Sequence, residues 1–178
     1  FARAVGASER VFELIDRRPE VSGEGRVLES VRGEIELDSV DFAYPSRPEI
    51  AVLQGLSLRL EPGRVVALVG PSGGGKSTVA ALVCRLYDPQ GGTLRLDGQP
   101  FDELEADWLR QQVGLVSQEP ILFATSITEN IRYGRLNATD AEVEQAASAA
   151  NAHDFVTAFP EGYSTLVGER GVRLSGGQ

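Results

Sequence analysis

Residues 65–78 read Val-Val-Ala-Leu-Val-Gly-Pro-Ser-Gly-Gly-Gly-Lys-Ser-Thr, an apolar run that leads directly into a glycine-rich loop. The apolar run at residues 65–69 is typical of a strand buried on both faces, and residues 79–86 are apolar enough for a buried helix. The loop matches the pattern G-x-x-x-x-G-K-[ST] in the strand, loop and helix context that this pattern requires. The sequence therefore predicts a P-loop, a binding site for the phosphates of a nucleoside triphosphate.

Each residue type in this loop suits phosphate binding. Glycines let the backbone wrap closely and direct consecutive N–H groups at phosphate oxygens, and the N-terminus of the following helix adds its positive end. Lys76 places a compact charge against the phosphoryl oxygens, and the Ser77 hydroxyl can ligate Mg²⁺. Lys76 is the only lysine among 17 basic residues, and it stands at the one position where the motif requires a lysine.

The composition excludes several classes of protein. The chain has 178 residues and a formal net charge of −9, which argues against sequence-independent nucleic-acid binding because no basic stripe is present. Cys84 and His153 are the single cysteine and the single histidine, so a disulfide framework, a thiolate metal site and a multi-histidine site are excluded within these residues. We expect Cys84 to be a small buried apolar side chain and His153 to be structural.

Residues 1–18 are predicted to form a helix, and residues 19–32 a linker. The positions that mark the helix recur at alternating steps of four and three, and they are Phe1, Val5, Ser8, Phe12 and Ile15. The helix either packs on the domain that follows or is the end of a helix from a preceding domain. Because residue 1 is Phe and the chain contains no methionine, we expect a part of a longer protein and favour the second interpretation. No run approaches the ~18 apolar residues of a membrane-spanning helix.

After the linker, the pattern changes to the period of two that is typical of strands. Residues 113–116 form a further apolar run, interpreted as a strand, and Asp97-Gly98 predicts a hairpin turn. Two pairs, Ser126 with Glu129 and Thr139 with Glu142, match a capping box and each predict the start of a helix. The apolar positions of the first strands are Ile35, Leu37, Val40, Phe42, Leu53, Leu56, Leu58 and Leu60.

Three further segments resemble the nucleotide-binding domains of ATP-binding-cassette (ABC) proteins. Residues 174–178 read Leu-Ser-Gly-Gly-Gln, similar to the signature of that family. Gln118 opens Gln-Glu-Pro-Ile-Leu-Phe, which resembles the Q-loop, and Tyr44 in Phe-Ala-Tyr-Pro stands where the family places an adenine-stacking aromatic side chain. The segments Ser-Ile-Thr-Glu-Asn-Ile at 126–131 and Val-Gly-Glu-Arg-Gly at 167–171 resemble one branch, the type B exporters.

The resemblance covers the chain from about residue 33 onward and implies its fold. That fold is α/β, a P-loop NTPase core with an antiparallel β subdomain and a helical subdomain, here the ABC ATPase fold incomplete at the C-terminus. Residues 1–18 are then the end of the last transmembrane-domain helix, and residues 33–178 are the N-terminal part of the nucleotide-binding domain. The helical subdomain is expected at about residues 118–178.

The resemblance also implies roles for particular residues. Lys76 and Gln118 are the implied catalytic residues, since Gln118 positions water, and Ser77 and Gln118 are the implied Mg²⁺ ligands. Tyr44 is implied to stack on adenine. The residues implied to bind ATP are Tyr44, Gly70, Ser72, Gly73, Gly74, Gly75, Lys76, Ser77, Thr78, Ser175, Gly176, Gly177 and Gln178.

The implied partners are a second nucleotide-binding domain and the protein's own transmembrane domain. Ser175 and Gly177 would reach the γ-phosphate held by the other cassette, so that two ATP molecules lie between the halves of a homodimer or heterodimer. The implied location is the cytoplasmic or equivalent inner face of a membrane, with no nucleic-acid partner.

The chain departs from the family pattern after its signature, and other readings compete. The acidic strand end and the histidine that the family places after the signature do not follow, so we expect the chain alone not to hydrolyse ATP. A soluble ABC-class ATPase of the DNA-repair or ribosome-associated type predicts a coiled-coil insertion or a basic surface, and the sequence shows neither. A non-catalytic nucleotide-sensing module and an importer cassette are the remaining alternatives.

Overall fold

The computed structural model describes residues 11–13, 15, 16, 21, 24–118 and 120–168. The chain forms two compact units, Phe1–Leu115 and Val116–Gln178. Within the described ranges, no helix has both the length and the hydropathy needed to cross a lipid bilayer. The predicted N-terminal helix is helical wherever it is described, at residues 11–13, 15 and 16. Its origin in a preceding domain stays a prediction.

The first unit is built on a four-stranded antiparallel sheet with the order β2-β1-β3-β4. The period-two pattern correctly predicted its two longest strands, because alternate side chains of a strand point to one face and there form the core. The core side chains of β1 and β3 include Leu37, Phe42 and Leu94. The strands are β1 (Ile35–Ala43), β2 (Ala51–Leu60), β3 (Gly91–Leu96) and β4 (Gln99–Pro100).

The apolar pattern of β1 changes phase in mid-strand because of a β-bulge. Leu37 pairs with Leu58 and Val40 pairs with Leu56, so β1 has one residue more than β2 between these pairs. Ser39 in the bulge has a left-handed φ of 51°. An extra residue in one strand reverses the alternation of inside and outside. Leu37 and Val40 are therefore both buried, at 1% and 0% exposure, although they are three positions apart.

The P-loop helix α1 (Lys76–Val83) ends in a left-handed turn at Arg85. The N–H of Arg85 donates to the carbonyl of Leu82 at 2.9 Å, and the N–H of Leu86 donates to that of Ala81 at 3.0 Å. These two bonds are a Schellman motif, whose left-handed position is usually glycine because a side chain there is strained. Arg85 occupies that position with a φ of 48°.

The side chain of Arg85 explains why the strain is tolerated. It is only 2% exposed, and its Nη1 donates to the carbonyl oxygen of Leu104 at 2.6 Å. Its Nε lies 3.2 Å from Oδ1 of Asp88. The end of α1 is thereby fixed to the segment that leads into α2 (Ala106–Gln111).

Two local strand predictions are wrong. Residues 65–69 and 113–116 have no regular secondary structure, and Val65 and Val69 are 102% and 92% exposed. A strand is stabilised by the strands beside it, and the strands of the described sheet pair only with one another. The helix predicted at residues 79–86 is confirmed, but its bounds are Lys76 and Val83. It begins earlier because the polar residues Lys76, Ser77 and Thr78 form its first turn, and it ends earlier because of the left-handed turn at Arg85.

The end of the predicted linker is held against the sheet by the hairpin turn Asp97-Gly98. The turn joins β3 to β4, as predicted, with left-handed φ values of 50° and 82°. The Asp97 carboxylate accepts hydrogen bonds from the backbone N–H groups of Arg32 at 2.6 Å, Gly33 at 3.3 Å and Glu34 at 2.9 Å. Burial raises the pKa of Asp97, but these backbone donors and the Arg32 guanidinium together have the larger, opposite effect. The pKa therefore lies below its ordinary value of 3.8.

A second stretch of the linker lies against the start of α2. The N–H of Arg26 donates to the carbonyl of Glu103 at 2.8 Å, and the N–H of Glu105 donates back to Arg26 at 2.9 Å. A Cβ on Gly25 would lie 2.3 Å from the carbonyl carbon of Leu104. Only glycine allows this approach of the two backbones.

We expect Asp97→Asn to lower the free energy of unfolding by about 1–3 kcal/mol near pH 7, because the backbone donors lose a charged acceptor. Asn also adopts the left-handed conformation, so the turn itself is kept. A carboxylate with a lowered pKa in the folded state stabilises the fold above its unfolded pKa and loses this effect as the pH falls through its folded pKa. The stability difference between Asp97→Asn and the unsubstituted chain should therefore shrink below about pH 4.

Urea denaturation at a series of pH values measures this difference. Asp107→Asn is the matched control, since this exposed carboxylate forms an ion pair with Arg110 and its loss should cost less than about 1 kcal/mol. A cost at Asp97 that is the same at pH 7 and at pH 3 would contradict the role assigned to its charge.

The second unit is helical. It contains three helices, α3 (Ile127–Arg132), α4 (Asp140–Ala149) and α5 (His153–Thr157). Its core includes Val156 and Val167. The predicted helix starts are confirmed. Thr139 forms a full capping box with Glu142 at α4, and the Ser126 hydroxyl accepts the N–H of Glu129 at α3.

Candidate functional site: the P-loop and its aromatic neighbour

The P-loop uses backbone conformations that glycine adopts without strain. Gly73 and Gly75 have left-handed φ values of 80° and 78°, and the N–H of Gly74 donates to the carbonyl of Pro71 at 3.1 Å. A Cβ on Gly75 would also lie 2.7 Å from Cδ2 of Leu53. The loop therefore needs glycine at these two positions to curve tightly into the helix that follows.

The N-terminus of α1 is open for an anion. Gly75 is the N-cap residue, and no side chain caps this helix among the described contacts. The N–H groups of Lys76, Ser77 and Thr78 in the first turn have no acceptor within the helix, and they carry its positive end. A phosphate group at this turn would supply the missing acceptors.

The Lys76 ammonium is held at the start of the loop. Its Nζ donates to the carbonyl oxygens of Gly70 at 2.9 Å and of Pro71 at 2.6 Å. An ammonium has three N–H donors, so one remains for a further acceptor. The charge is carried by the first residue of α1 and lies at the start of the loop, an arrangement that suits phosphate oxygens.

The residues present fit a magnesium ion that arrives with the nucleotide. Within the described residues, no group of three or more His, Cys, Asp or Glu side chains is arranged to hold a metal ion. Mg²⁺ in nucleotide sites is bound through few protein oxygens, because phosphates and water supply the other ligands. The exposed Ser77 hydroxyl on the first turn of α1 is such an oxygen.

Tyr44 lies beside the P-loop helix. Its hydroxyl oxygen is 3.0 Å from Oγ1 of Thr78. Its ring meets the rings of Phe42 and Tyr87 nearly perpendicularly, at centroid distances of 5.0 and 5.3 Å. The half-buried ring also lines a hollow of about 330 Å³, within the size range of small-ligand pockets. The hollow is completed by Ser46, Arg47, Ile50 and Val52.

Gln90 supports Tyr44 in a way that its sequence position does not reveal. The Ala43 N–H donates to Gln90 Oε1 at 2.7 Å, and Gln90 Nε2 donates to the Ala43 carbonyl at 3.0 Å. This side chain therefore extends the sheet by one pair at the residue before Tyr44. No local signal predicts the pair, because its two members are 47 positions apart.

The other predicted site residues lie in the second unit or outside the described residues. Gln118 is exposed in a bend at the start of the second unit. Residues 169–178 lie outside the described part, and with them the signature residues Ser175, Gly176, Gly177 and Gln178. The roles that the resemblance implies for them stay predictions.

The single histidine and the single cysteine have structural surroundings. His153 Nδ1 lies 2.9 Å from the hydroxyl of Tyr163. Cys84 is buried, and burial raises the pKa of its thiol. A raised pKa favours the protonated thiol, which is the less nucleophilic form.

Comparison with known proteins identifies the family to which this P-loop belongs. The family described as ABC transporter matches residues 53–178. ABC transporter B family member 4 of Dictyostelium discoideum is 55% identical over 176 residues, which are 98% of this chain and 23% of that protein. ABC transporter B family member 18 of Arabidopsis thaliana is 52% identical over 181 residues, which are 100% of this chain and 15% of that protein.

These matches agree with the P-loop geometry and with the resemblance to type B exporters. The chain spans 23% and 15% of the length of these two relatives. Their names give no support to a soluble ABC-class ATPase. Three findings agree, namely the P-loop, the α/β fold and the sequence identity to these relatives over the whole chain. The chain therefore belongs to the ABC transporter family, as a nucleotide-binding domain of its B family.

Proposed function

We propose that this chain is the ATP-binding part of an ABC exporter that couples ATP binding and hydrolysis to export of a substrate across a membrane. The observation that carries the proposal is the P-loop, in which Lys76 begins a helix without a side-chain cap and its ammonium is held by the carbonyls at the start of the loop. The names of the relatives, which describe them as ABC transporters of the B family, support a role in transport.

In the proposed site, different residues bind different parts of the nucleotide. Tyr44 contacts the adenine, because an aromatic ring at the hollow offers a surface for a purine. The loop from Ser72 to Thr78 surrounds the phosphates, with Lys76 as the main charge. Ser77 and Gln118 hold Mg²⁺, and Gln118 positions the attacking water.

The proposed assembly is a dimer of nucleotide-binding domains, homomeric or heteromeric. Ser175 and Gly177 of each domain contact the γ-phosphate held by the other, so that ATP closes the dimer. The dimer lies on the inner face of a membrane and drives the transmembrane domain of the same protein. The support for this assembly is the signature at residues 174–178 and the B-family relatives.

Calorimetric titration of the full chain with ATP, with and without Mg²⁺, tests the nucleotide site. We expect Mg²⁺ to strengthen ATP binding about tenfold in the unsubstituted chain and less than about threefold in Ser77→Ala, because that variant lacks one of the few protein oxygens on the metal. Ser148→Ala is the control, since this hydroxyl donates to the Glu144 carbonyl of its own helix at 2.8 Å.

The two failures of this titration are distinguishable. An equal Mg²⁺ effect in Ser77→Ala and in the unsubstituted chain would show that Ser77 is not a metal ligand. Absence of ATP binding by the unsubstituted chain would refute the proposed function as a whole.

The coding sequence on either side of this chain tests the link to a membrane. We expect several ~20-residue apolar stretches upstream of Phe1, and downstream of Gln178 an apolar strand ending in Asp-Glu. If both features are missing, the exporter proposal is wrong even where ATP binding is found.

A further inference from the structure

A hydrogen bond joins the proposed base-binding side chain to the phosphate-binding helix. Tyr44 follows β1 and Thr78 lies in the first turn of α1, yet their hydroxyl oxygens are 3.0 Å apart. Thr78 is only 4% exposed, so water does not readily replace Tyr44 as the partner of its hydroxyl. Such a hydrogen bond is costly to break when no other partner replaces the one that is lost.

Three kinds of contact within the chain fix the Tyr44 ring. Gln90 holds the preceding backbone through both polar groups of Ala43. Phe42 and Tyr87 flank the ring. The bond to Thr78 is the contact that reaches the turn in which Lys76 and Ser77 would meet the phosphates.

We propose that Thr78 is a positioning residue for Tyr44, and that their hydroxyl bond sets the spacing between the base-binding ring and the P-loop. This inference rests on the proposed function, because it takes adenine to lie at Tyr44 and the phosphates at the loop. A ring that is already in place loses little conformational freedom when the base binds, and this improves affinity. A ligand with both a base and phosphates gains from the fixed spacing, whereas a ligand with phosphates alone does not.

The inference is tested by titrating the full chain with ATP and, as a phosphate-only probe, with tripolyphosphate. Tyr44→Phe removes one hydroxyl and keeps the ring, and Thr78→Val removes the other at nearly constant shape. Each variant should bind ATP about threefold to tenfold more weakly, the effect of one hydrogen bond. The double variant should bind no more weakly than either single variant, because both remove the same bond. Tyr44→Phe should bind tripolyphosphate as the unsubstituted chain does.

The chain offers a matched control for each substitution. Thr165 is 5% exposed, close to Thr78, and its Oγ1 has no hydrogen-bond partner among the described residues. The Tyr163 hydroxyl bonds His153 in the second unit. Thr165→Val and Tyr163→Phe should leave ATP affinity unchanged. Thr78→Ser keeps the hydroxyl and should retain most of the affinity.

The outcomes separate this inference from the proposed function. Additive losses in the double variant, or unchanged ATP affinity in Tyr44→Phe, overturn the inference while ATP binding by the unsubstituted chain preserves the function. An equal loss of tripolyphosphate affinity in Tyr44→Phe also overturns it, because the ring would then act on the loop as a whole. If Thr78→Val does not fold, the comparison of Tyr44→Phe with Thr78→Ser still decides. No ATP binding by the unsubstituted chain refutes the function and the inference together.

Discussion

Lys76→Ala is expected to weaken ATP binding about a hundredfold, which corresponds to about 3 kcal/mol for a charge-assisted contact with phosphate. The substitution has two effects. It removes the ammonium that would meet the phosphate, and it leaves the carbonyl oxygens of Gly70 and Pro71 without their donor. Those oxygens carry partial negative charge. Without the positive lysine they would repel the phosphate.

Titration with Mg²⁺ and ATP measures the effect, with Arg64→Ala as the control. Arg64 is a cation twelve positions earlier, 74% exposed at its side chain and 3.7 Å from the Glu61 carboxylate. Loss of an exposed pair of this kind has little effect on the fold, and Arg64→Ala should bind ATP normally. Equal affinities of Lys76→Ala and Arg64→Ala would contradict the role of Lys76.

Because Lys76 is the only lysine, its chemical modification gives a second measurement. An amine-directed reagent followed by peptide mapping reports on Lys76 separately from the N-terminal amine. ATP is expected to protect Lys76 from the reagent, since the phosphates would engage the N–H donor that the two carbonyls leave free. Adenosine, which has no phosphates, should not protect it.

Arg85→Ala is expected to lower the free energy of unfolding by about 3–5 kcal/mol, because it removes a large buried side chain and leaves a buried carbonyl without its donor. The carbonyl is that of Leu104, which accepts Nη1 of Arg85 at 2.6 Å. For a chain of this size the melting temperature should fall by roughly 10 °C. Thermal and urea denaturation both measure the change.

Two further variants test the role assigned to the Arg85 side chain. Arg85→Gly removes the same contacts but also relieves the left-handed strain at φ 48°, so it should be about 1 kcal/mol less destabilising than Arg85→Ala. Arg95→Ala removes a half-exposed arginine that lies 3.6 Å from Asp38, and it should cost less than about 1 kcal/mol. If Arg85→Ala costs no more than Arg95→Ala, the buried guanidinium is not important for stability.

What could be predicted from the sequence was encoded within short segments. The P-loop depends on residues 70–78, and its left-handed glycines and the presence of a helix after the loop follow from that segment, although the helix begins at Lys76 and not at residue 79. The capping box of Thr139 with Glu142 spans four residues, and the Asp97-Gly98 turn spans two. The structure contains these features because neighbouring residues supply both the constraint and its partner.

Predictions that required a distant partner fared worse. The apolar runs at 65–69 and 113–116 predicted strands, but periodicity cannot show which strand would pair with which. The phase change in β1 was visible as Leu37 and Val40 three positions apart, and only the register with β2 identified it as a bulge.

The sequence by itself determined the family of this protein and the chemistry of its phosphate loop, because the charge of Lys76, the freedom of Gly73 and Gly75 and the open turn of α1 are all local properties. Only the tertiary structure decided how the loop is supported. Tyr44 meets Thr78 across 34 positions, Gln90 meets Ala43 across 47, and Arg85 meets Leu104 across 19. Hydrogen bonds of this kind form where the fold brings distant segments of the chain together. No pattern in the intervening residues specifies which segments meet.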